Sequence, residues 1–327
     1  MKKIGTGMTV FLVAAVVSIA SVAGTFIYLK MFEGETLMIS TTTSLYDTGL
    51  LDFIEYQYEA EHKVDLRFIS VGTGIAILHA QRGEADLILV HDPSLEFSFL
   101  QGGYGVCRKI IAYNFFAIVG PETDPAKIQG LSPVQALTKI VESGRNGTAK
   151  WISRGDNSGT HAKEKSLWAI TGFSWQNIRN EAWFIESGIG MGATLQAAYN
   201  LDAYTLADMG TYLTYFKNGL ITLKVLVGQE KDLLNVYSAM AVNKTMHPHT
   251  NFDGSIRFIK FLASEEGQQI ISQYGQDEYG QSLFYGAVNI LKNNTDPTLA
   301  EWIRQYAFFN GSECPPEYQD GYPELYV

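Results

Sequence analysis

Cysteine is scarce in this sequence, and its placement limits how the protein can be held at a membrane. No cysteine stands directly at the end of the apolar stretch near the N-terminus, which argues against the lipid-modified N-terminus of bacterial lipoproteins. Only Cys107 and Cys314 occur in 327 residues. Two interpretations stay open: in an oxidising compartment one disulfide would tie the C-terminal tail to the body of the protein, or both residues would remain free thiols.

Positive charge is also in short supply. The sequence has 24 Lys and Arg residues against 34 Asp and Glu residues, a formal net charge of -10. Binding to nucleic acid or to an anionic membrane surface needs a basic face, so this balance argues against both. It does not exclude a small anionic ligand, because a buried site responds to its local donors while salt screens surface charges beyond about 10 Å.

Groups of metal ligands are lacking as well. The segment His247-Pro248-His249 has two histidines but no further ligand at a fitting spacing, so we predict a surface loop there rather than a metal site. We predict neither a metal nor a cofactor for this protein.

One long uncharged stretch is present, from Met8 to Leu29. It has about the 20 apolar residues that span a bilayer. Two lysines precede it and Lys30 ends it, which predicts an uncleaved membrane anchor with the bulk of the chain outside the cell. The alternative is signal-peptide cleavage after Ser21-Val22-Ala23, which would give a secreted or periplasmic protein. We assign residues 1–34 to this anchor or signal helix and its linker.

After the linker, strand-like and helix-like segments alternate, which indicates an α/β fold. Each unit is a strand, a polar turn and a helix, and sheets of this kind bind ligands at the carboxyl ends of their strands. The predicted strands are Leu37–Ser40, Val64–Val71, Asp86–Val90, Ile110–Gly120, Ala149–Ile152, Trp183–Glu186 and Val236–Val242. The predicted helices are Leu50–Glu61, Ile75–Arg82, His161–Ile170, Ala193–Asn200, Phe258–Tyr274 and Thr298–Phe309.

The strands Ile110–Gly120 and Val236–Val242 are predicted to cross between two lobes, each built on a doubly wound sheet. Lobe I would comprise residues 35–120 and 236–327, and lobe II residues 121–235. Polar turns of both lobes would then face one cleft, which we expect to close around a ligand by hinge motion.

Two polar turns carry the chemistry. Thr41-Thr42-Thr43-Ser44 places four hydroxyls where we expect a helix to begin, and free backbone N–H groups and the helix dipole favour an anion there. The alternative interpretation of any one of these residues is a helix N-cap.

The second turn, Ser153 to His161, is more specific. Arg154 supplies a permanent positive charge, Ser158 and Thr160 supply hydroxyls, and Gly159 allows close approach of a backbone N–H. Together they predict a cradle for an oxyanion. We interpret Asp156 as a partner that orients Arg154 or caps the helix, with anion discrimination as the alternative.

These turns resemble those of tungstate-binding proteins of ABC importers, in the type II periplasmic-binding-protein class. The resemblance spans about residues 37–291 and includes Val71-Gly72-Thr73-Gly74, Gly83-Glu84-Ala85-Asp86 with His91, Glu186-Ser187, Gly190-Met191-Gly192 with Thr194, and Ala203-Tyr204-Thr205-Leu206. Met209 departs from it, since the family more often has a basic residue there. The resemblance implies a two-lobed type II fold and these ligand-binding residues: Thr43, Ser44, Arg154, Ser158, Gly159 and Thr160, with Thr42, Thr73 and Thr194 as further candidates.

The resemblance also implies a function and partners. The protein would be a monomeric solute-binding protein, not an enzyme, that captures tungstate or molybdate and delivers it to a membrane permease with an ATPase subunit. A related loop occurs in phosphate-binding transport proteins, so a phosphate-binding protein is an alternative. A protonated phosphate needs an acceptor in its site, for which Asp156 is the one candidate, whereas tungstate needs only donors.

Two other classes of function remain as alternatives. An oxyanion-sensing ectodomain would show the same site. A hydrolase would use Ser158, His161 and Asp156, but the members of a catalytic triad normally come from separate segments of the chain.

Overall fold

The computed structural model describes residues 34–326. The predicted anchor at residues 8–29 lies outside this range. Among the described residues, no helix combines the length and the apolar character needed to cross a membrane.

Within this range the chain alternates strands and helices, as predicted. The strands are β1 Glu35–Thr42, β2 Val64–Val71, β3 Leu87–Val90, β4 Gly105–Gly120, β5 Trp151–Ser153, β6 Phe184–Glu186, β7 Tyr204–Asp208, β8 Lys224–Gly228, β9 Leu234–Val242 and β10 Tyr285–Gly286. The helices are α1 Thr43–Tyr46, α2 Leu50–Glu61, α3 Thr73–Gln81, α4 Pro93–Gln101, α5 Pro133–Arg145, α6 Gly159–Ile170, α7 Trp175–Ile178, α8 Met191–Asn200, α9 Met209–Lys217, α10 Phe252–Ala263, α11 Glu265–Gln273, α12 Gln276–Tyr279, α13 Val288–Asn293 and α14 Pro297–Ala307.

The strands form two sheets that share the long strand β4. The first has the order β2-β1-β3-β9-β4, with β1 parallel to β2 and β3, and β9 antiparallel to β3 and β4. In the second, the far half of β4 pairs with β7 and β8, and β5 lies parallel to β6 and β7. The predicted two-lobed α/β fold is confirmed, and we call each sheet with its helices a lobe.

Each lobe buries its own apolar core. In the first, Ile39 and Leu87 of the sheet pack with Tyr58 of α2 and Phe258 of α10. In the second, a core of aromatic side chains forms around Trp151 of β5 and Trp168 of α6. Every residue of β4 but one is buried, because the strand runs through the middle of both sheets.

One predicted helix is wrong. The segment Phe258–Tyr274 contains two helices, because α10 ends at Ala263 and Ser264 caps the start of α11 by accepting a hydrogen bond from the Gly267 backbone N–H at 3.1 Å. A serine followed by two glutamates is a helix-start signal that competes with the continuing apolar periodicity. α10 also begins earlier than predicted, at Phe252.

The two cysteines are buried free thiols. Cys107 donates a hydrogen bond to the carbonyl of Gln319 at 3.2 Å, and the side-chain amide of Gln319 donates to the carbonyl of Cys314 at 2.8 Å. The C-terminal tail is thus held against β4 by hydrogen bonds, as in the free-thiol interpretation.

Candidate anion site

The carboxyl ends of the central strands bring most of the predicted site residues to the seam between the lobes. In the first lobe β1 ends at Thr42, and β3 leads into His91. In the second lobe β5 ends at Ser153 and is followed by the loop that leads into α6. The two sets meet where a side chain added at Gly159 would collide with the ring of His91, at 2.6 Å from its nearest atom.

The first polar turn differs in part from the prediction. Thr41 and Thr42 belong to β1, and the hydroxyl of Thr41 donates to the carbonyl of Leu89 at 3.0 Å, so the sheet uses it. The helix that follows, α1, is a single turn, and the long helix α2 starts only after Gly49, whose φ of 79° is left-handed. The turn therefore offers three hydroxyls to a ligand rather than four, those of Thr42, Thr43 and Ser44.

These three hydroxyls have different surroundings. Thr42 and Ser44 are buried, and their hydroxyl oxygens lie 3.4 Å apart. Thr43 is partly exposed on α1. The Ser44 hydroxyl also lies 3.4 Å from Nε2 of His91, a long contact that a better acceptor could replace.

Arg154 is the cation of the second turn, and its side chain is only 3% exposed. Its Nε and Nη2 both donate to one oxygen of Asp156, and the Ser158 backbone N–H donates to the other at 3.1 Å. Burial would raise the pKa of Asp156, but the hydrogen bonds from Ser158 and the charge of Arg154 outweigh burial and hold this pKa below its usual value. The predicted contact of Asp156 with Arg154 is confirmed, whereas the N-cap of the helix is Ser158.

The start of α6 supplies further donors. Ser158 is the N-cap, and its hydroxyl accepts from the His161 backbone N–H at 3.3 Å. The hydroxyl of Thr160, which is 1% exposed, has no hydrogen-bond partner among residues 34–326. Thr73, at the start of α3, is also 1% exposed, and its hydroxyl has no hydrogen-bond partner within the described part of the chain. A buried hydroxyl without a partner costs free energy unless a ligand supplies one.

Thr194, the last of the predicted residues, is bonded within its own lobe. Its hydroxyl donates to the Ile189 carbonyl at 3.2 Å and lies 3.0 Å from the hydroxyl of Ser187. Ser187 in turn donates to the carbonyl of Arg154 at 3.2 Å. The contacts of Thr194 therefore indicate that it supports the Arg154 loop.

A chain of hydrogen bonds that we did not predict links the site to both crossing strands. Asn235 of β9 donates from Nδ2 to Asn114 of β4 at 2.9 Å and to the Tyr237 hydroxyl at 2.8 Å, so its Oδ1 accepts from Nδ1 of His91 at 2.8 Å. Nε2 of His91 then carries the lone pair that faces Ser44. Burial lowers the pKa of His91 to about 4, although the bond to Asn235 opposes this shift, so the ring is neutral at pH 7.

His161 and Ser158 do not form a nucleophile and base. Nδ1 of His161 accepts from the Asn157 backbone N–H at 2.9 Å, and its ring packs on Trp175, with centroids 5.1 Å apart. The proton of the neutral ring is then on Nε2, so neither nitrogen is available to take a proton from Ser158. The hydrolase alternative lacks the geometry that it requires.

The candidate site is closed rather than an open pocket. Its buried residues Thr42, Ser44, Arg154 and Thr160 are 1–6% exposed. A groove of about 1000 Å³ lies elsewhere, lined by Lys109, Lys260 and Arg304 among others. We place the site at the seam despite this larger groove, because the unpartnered hydroxyl of Thr160 and the oriented guanidinium lie at the seam, and a small oxyanion needs little volume.

The chain is similar to known proteins in both sequence and structure. Residues 32–266 match the PBP superfamily domain. The tungstate-binding protein TupA of Peptoclostridium acidaminophilum is 37% identical over 252 residues, which cover 76% of this chain and 85% of the relative. A putative ABC transporter anion-binding protein of Haloferax volcanii is 40% identical over 277 residues, covering 83% of this chain and 77% of the relative. The crystal structure of the tungstate ABC transporter from Geobacter sulfurreducens, at 40% identity and a TM-score of 0.65, covers 73% of this chain and 99% of the other.

Proposed function

This chain belongs to the PBP superfamily, in the family of the tungstate-binding proteins, and on that basis we propose that it captures tungstate between its two lobes and delivers it to an ABC importer. Molybdate, a tetrahedral dianion of almost the same size, is the other ligand of this kind. The protein acts as a solute-binding protein and not as an enzyme.

The observation that carries the proposal is a buried set of donors with one oriented cation. We propose these ligand-binding residues: Arg154, Thr42, Thr43, Ser44, Ser158, Thr160 and Thr73, with the backbone N–H of Gly159. Thr194 supports them. Thr73 and Thr160 have buried hydroxyls without partners among the described residues, and each is free to donate to an oxygen of the anion. Charge-assisted hydrogen bonds in a closed, dry site contribute about 1.5 to 3 kcal/mol each.

The carboxylate of Asp156 supports tungstate over phosphate. Each of its oxygens already accepts hydrogen bonds, one from Arg154 and the other from the Ser158 backbone. A protonated phosphate would have to compete with these donors for an acceptor. Fully ionised tungstate needs no acceptor, so it fits the site as it stands.

The setting of the protein follows from the proposed role. We propose an extracytoplasmic protein, held at the membrane by residues 8–29, whose partners are a permease and an ATPase subunit. Its lobe I comprises residues 35–120 and 236–327, and its lobe II residues 121–235. These limits are supported by the separate cores of the two sheets and by the passage of β4 from one sheet to the other.

Isothermal titration of the full chain in detergent with tungstate, molybdate, sulfate and phosphate tests the proposal. We expect tungstate and molybdate to bind and Arg154→Ala to weaken tungstate binding by more than about 2 kcal/mol, roughly 30-fold. Arg145→Ala is the matched control, because Arg145 pairs with Glu181 on the surface and is 51% exposed. If phosphate alone gave heat of binding, the protein would be assigned to the phosphate-binding relatives. If none of the four anions gave heat of binding, an oxyanion site would be refuted.

A further inference from the structure

A buried carboxylate lies behind the loop that carries Arg154. Glu164, on α6, is 1% exposed. Its Oε1 accepts from the indole nitrogens of Trp151 at 2.7 Å and Trp168 at 3.3 Å. Its Oε2 accepts from the Ser153 hydroxyl at 2.8 Å, and Ser153 is the residue directly before Arg154.

These bonds connect the two elements that carry donors of the candidate site. Trp151 and Ser153 belong to β5, and Arg154 is the next residue, whereas Glu164 belongs to the helix whose first turn carries Thr160. Burial raises the pKa of Glu164 to about 7, and the hydrogen bonds from Trp151, Ser153 and Trp168 act against that shift. A carboxylate is costly to bury, and apolar side chains of similar size would fill the same volume without that cost.

We propose that Glu164 is a positioning residue of the anion site, which fixes the end of β5, and with it Arg154, against the start of α6. The inference rests on the proposed function. Preorganised donors bind an ion more tightly than donors that must be ordered on binding. Outer partners of metal ligands change affinity by about 10- to 100-fold when they are replaced, and we expect a comparable effect here.

Glu164→Gln changes the contact of residue 164 with β5 at Ser153 while keeping its contacts with the two indoles. The glutamine carbonyl can still accept from both indoles, while its NH₂ group then faces the Ser153 hydroxyl, which can no longer donate there and must turn to accept. We expect tungstate affinity of the full chain to fall about 10-fold. Ser153→Ala removes only the side-chain donor at the loop end and should weaken binding about 3-fold or more. It decides the question if Glu164→Gln does not fold.

Glu96→Gln is the matched control. Glu96 is also a fully buried carboxylate, and it is bonded to Arg108 in the first lobe. The replacement should lower the melting temperature but leave the tungstate Kd within about 2-fold, since it removes no contact of the anion loop. In Glu164→Gln both indoles donate to a neutral amide oxygen in place of a carboxyl oxygen, so tryptophan emission of the empty protein should shift in this variant and not in Glu96→Gln.

The outcomes separate this inference from the proposed function. Weaker tungstate binding in Glu164→Gln and Ser153→Ala, with an unchanged Kd in Glu96→Gln, supports the positioning role. If the wild-type chain binds tungstate and neither Glu164→Gln nor Ser153→Ala changes the Kd, the inference is overturned and the proposed function stands. An equal loss in Glu96→Gln overturns it too, because the effect would then be one of general stability. If the wild-type chain binds none of the four anions, both proposals fail.

Discussion

Replacing Thr160 by valine should affect stability and binding in opposite directions. The Thr160 hydroxyl is buried and has no hydrogen-bond partner within residues 34–326. An unsatisfied buried polar group costs about 1 to 3 kcal/mol, and valine has nearly the shape of threonine. We therefore expect Thr160→Val to stabilise the empty protein by about 1 kcal/mol, or a melting temperature about 2 °C higher.

The same change should weaken anion binding. A charge-assisted hydrogen bond contributes about 1.5 to 3 kcal/mol, so losing the Thr160 donor should raise the tungstate Kd by about 10- to 150-fold. Calorimetric titration gives the Kd, and thermal unfolding without ligand gives the stability. Thr73→Val should behave in the same way, because its hydroxyl likewise finds no partner in the described part of the chain.

Thr205→Val is the control for this pair of effects. Thr205 is 1% exposed like Thr160, but its hydroxyl donates to the Ile152 carbonyl at 2.7 Å. Its replacement should destabilise the protein by about 1 kcal/mol and leave the Kd unchanged. If Thr160→Val lowered stability as Thr205→Val does, or bound tungstate as tightly as the wild type, the reasoning from unpartnered hydroxyls would be refuted.

Two further predictions follow from the seam between the lobes. Gly159→Ala places a methyl group 2.6 Å from the His91 ring, so we expect the lobes to close poorly. Calorimetry should then show tungstate binding at least about 10-fold weaker. Gly74→Ala is the control and should bind tungstate normally, because its added methyl group would have no atom within 4 Å. His91, whose pKa burial lowers to about 4, takes up a proton more readily when unfolded. The free energy of unfolding should therefore fall by up to about 3 kcal/mol as the pH drops from 6.5 to 4. Over this range the melting temperature of His91→Gln should fall less than that of the wild type. Parallel curves of melting temperature against pH for the two proteins would contradict this.

The Ser153–His161 loop could be predicted from the sequence because its function is local. Arg154, Ser158 and Thr160 lie within seven positions, and strand-to-helix turns bring such residues to the carboxyl edge of a sheet. The orienting role of Asp156 was predictable for the same reason, since a partner two residues away needs no knowledge of the tertiary structure.

The contacts across the seam could not be predicted in this way. His91, Asn114 and Asn235 lie more than 20 residues apart from one another in sequence, and no periodicity indicates that one hydrogen-bonded chain contains all three. The strand assignment of Thr41 depends likewise on pairing with β3, which lies more than 40 residues away in the chain. The run of four hydroxyls, which is typical of the start of a helix, gave no indication of this strand pairing.

Tungsten itself provides the most direct test of the central claim, because its anomalous scattering locates a single ion in a crystal. Crystals of the protein grown with tungstate should show one strong peak between the lobes. The oxygen atoms around the tungsten should lie within about 3 Å of donors from both the Thr42–Ser44 turn and the Arg154 loop. The hydroxyl of Thr160 should then have the tungstate as its partner. A peak only in the groove lined by Lys109, Lys260 and Arg304, or no peak at saturating tungstate, would contradict the account.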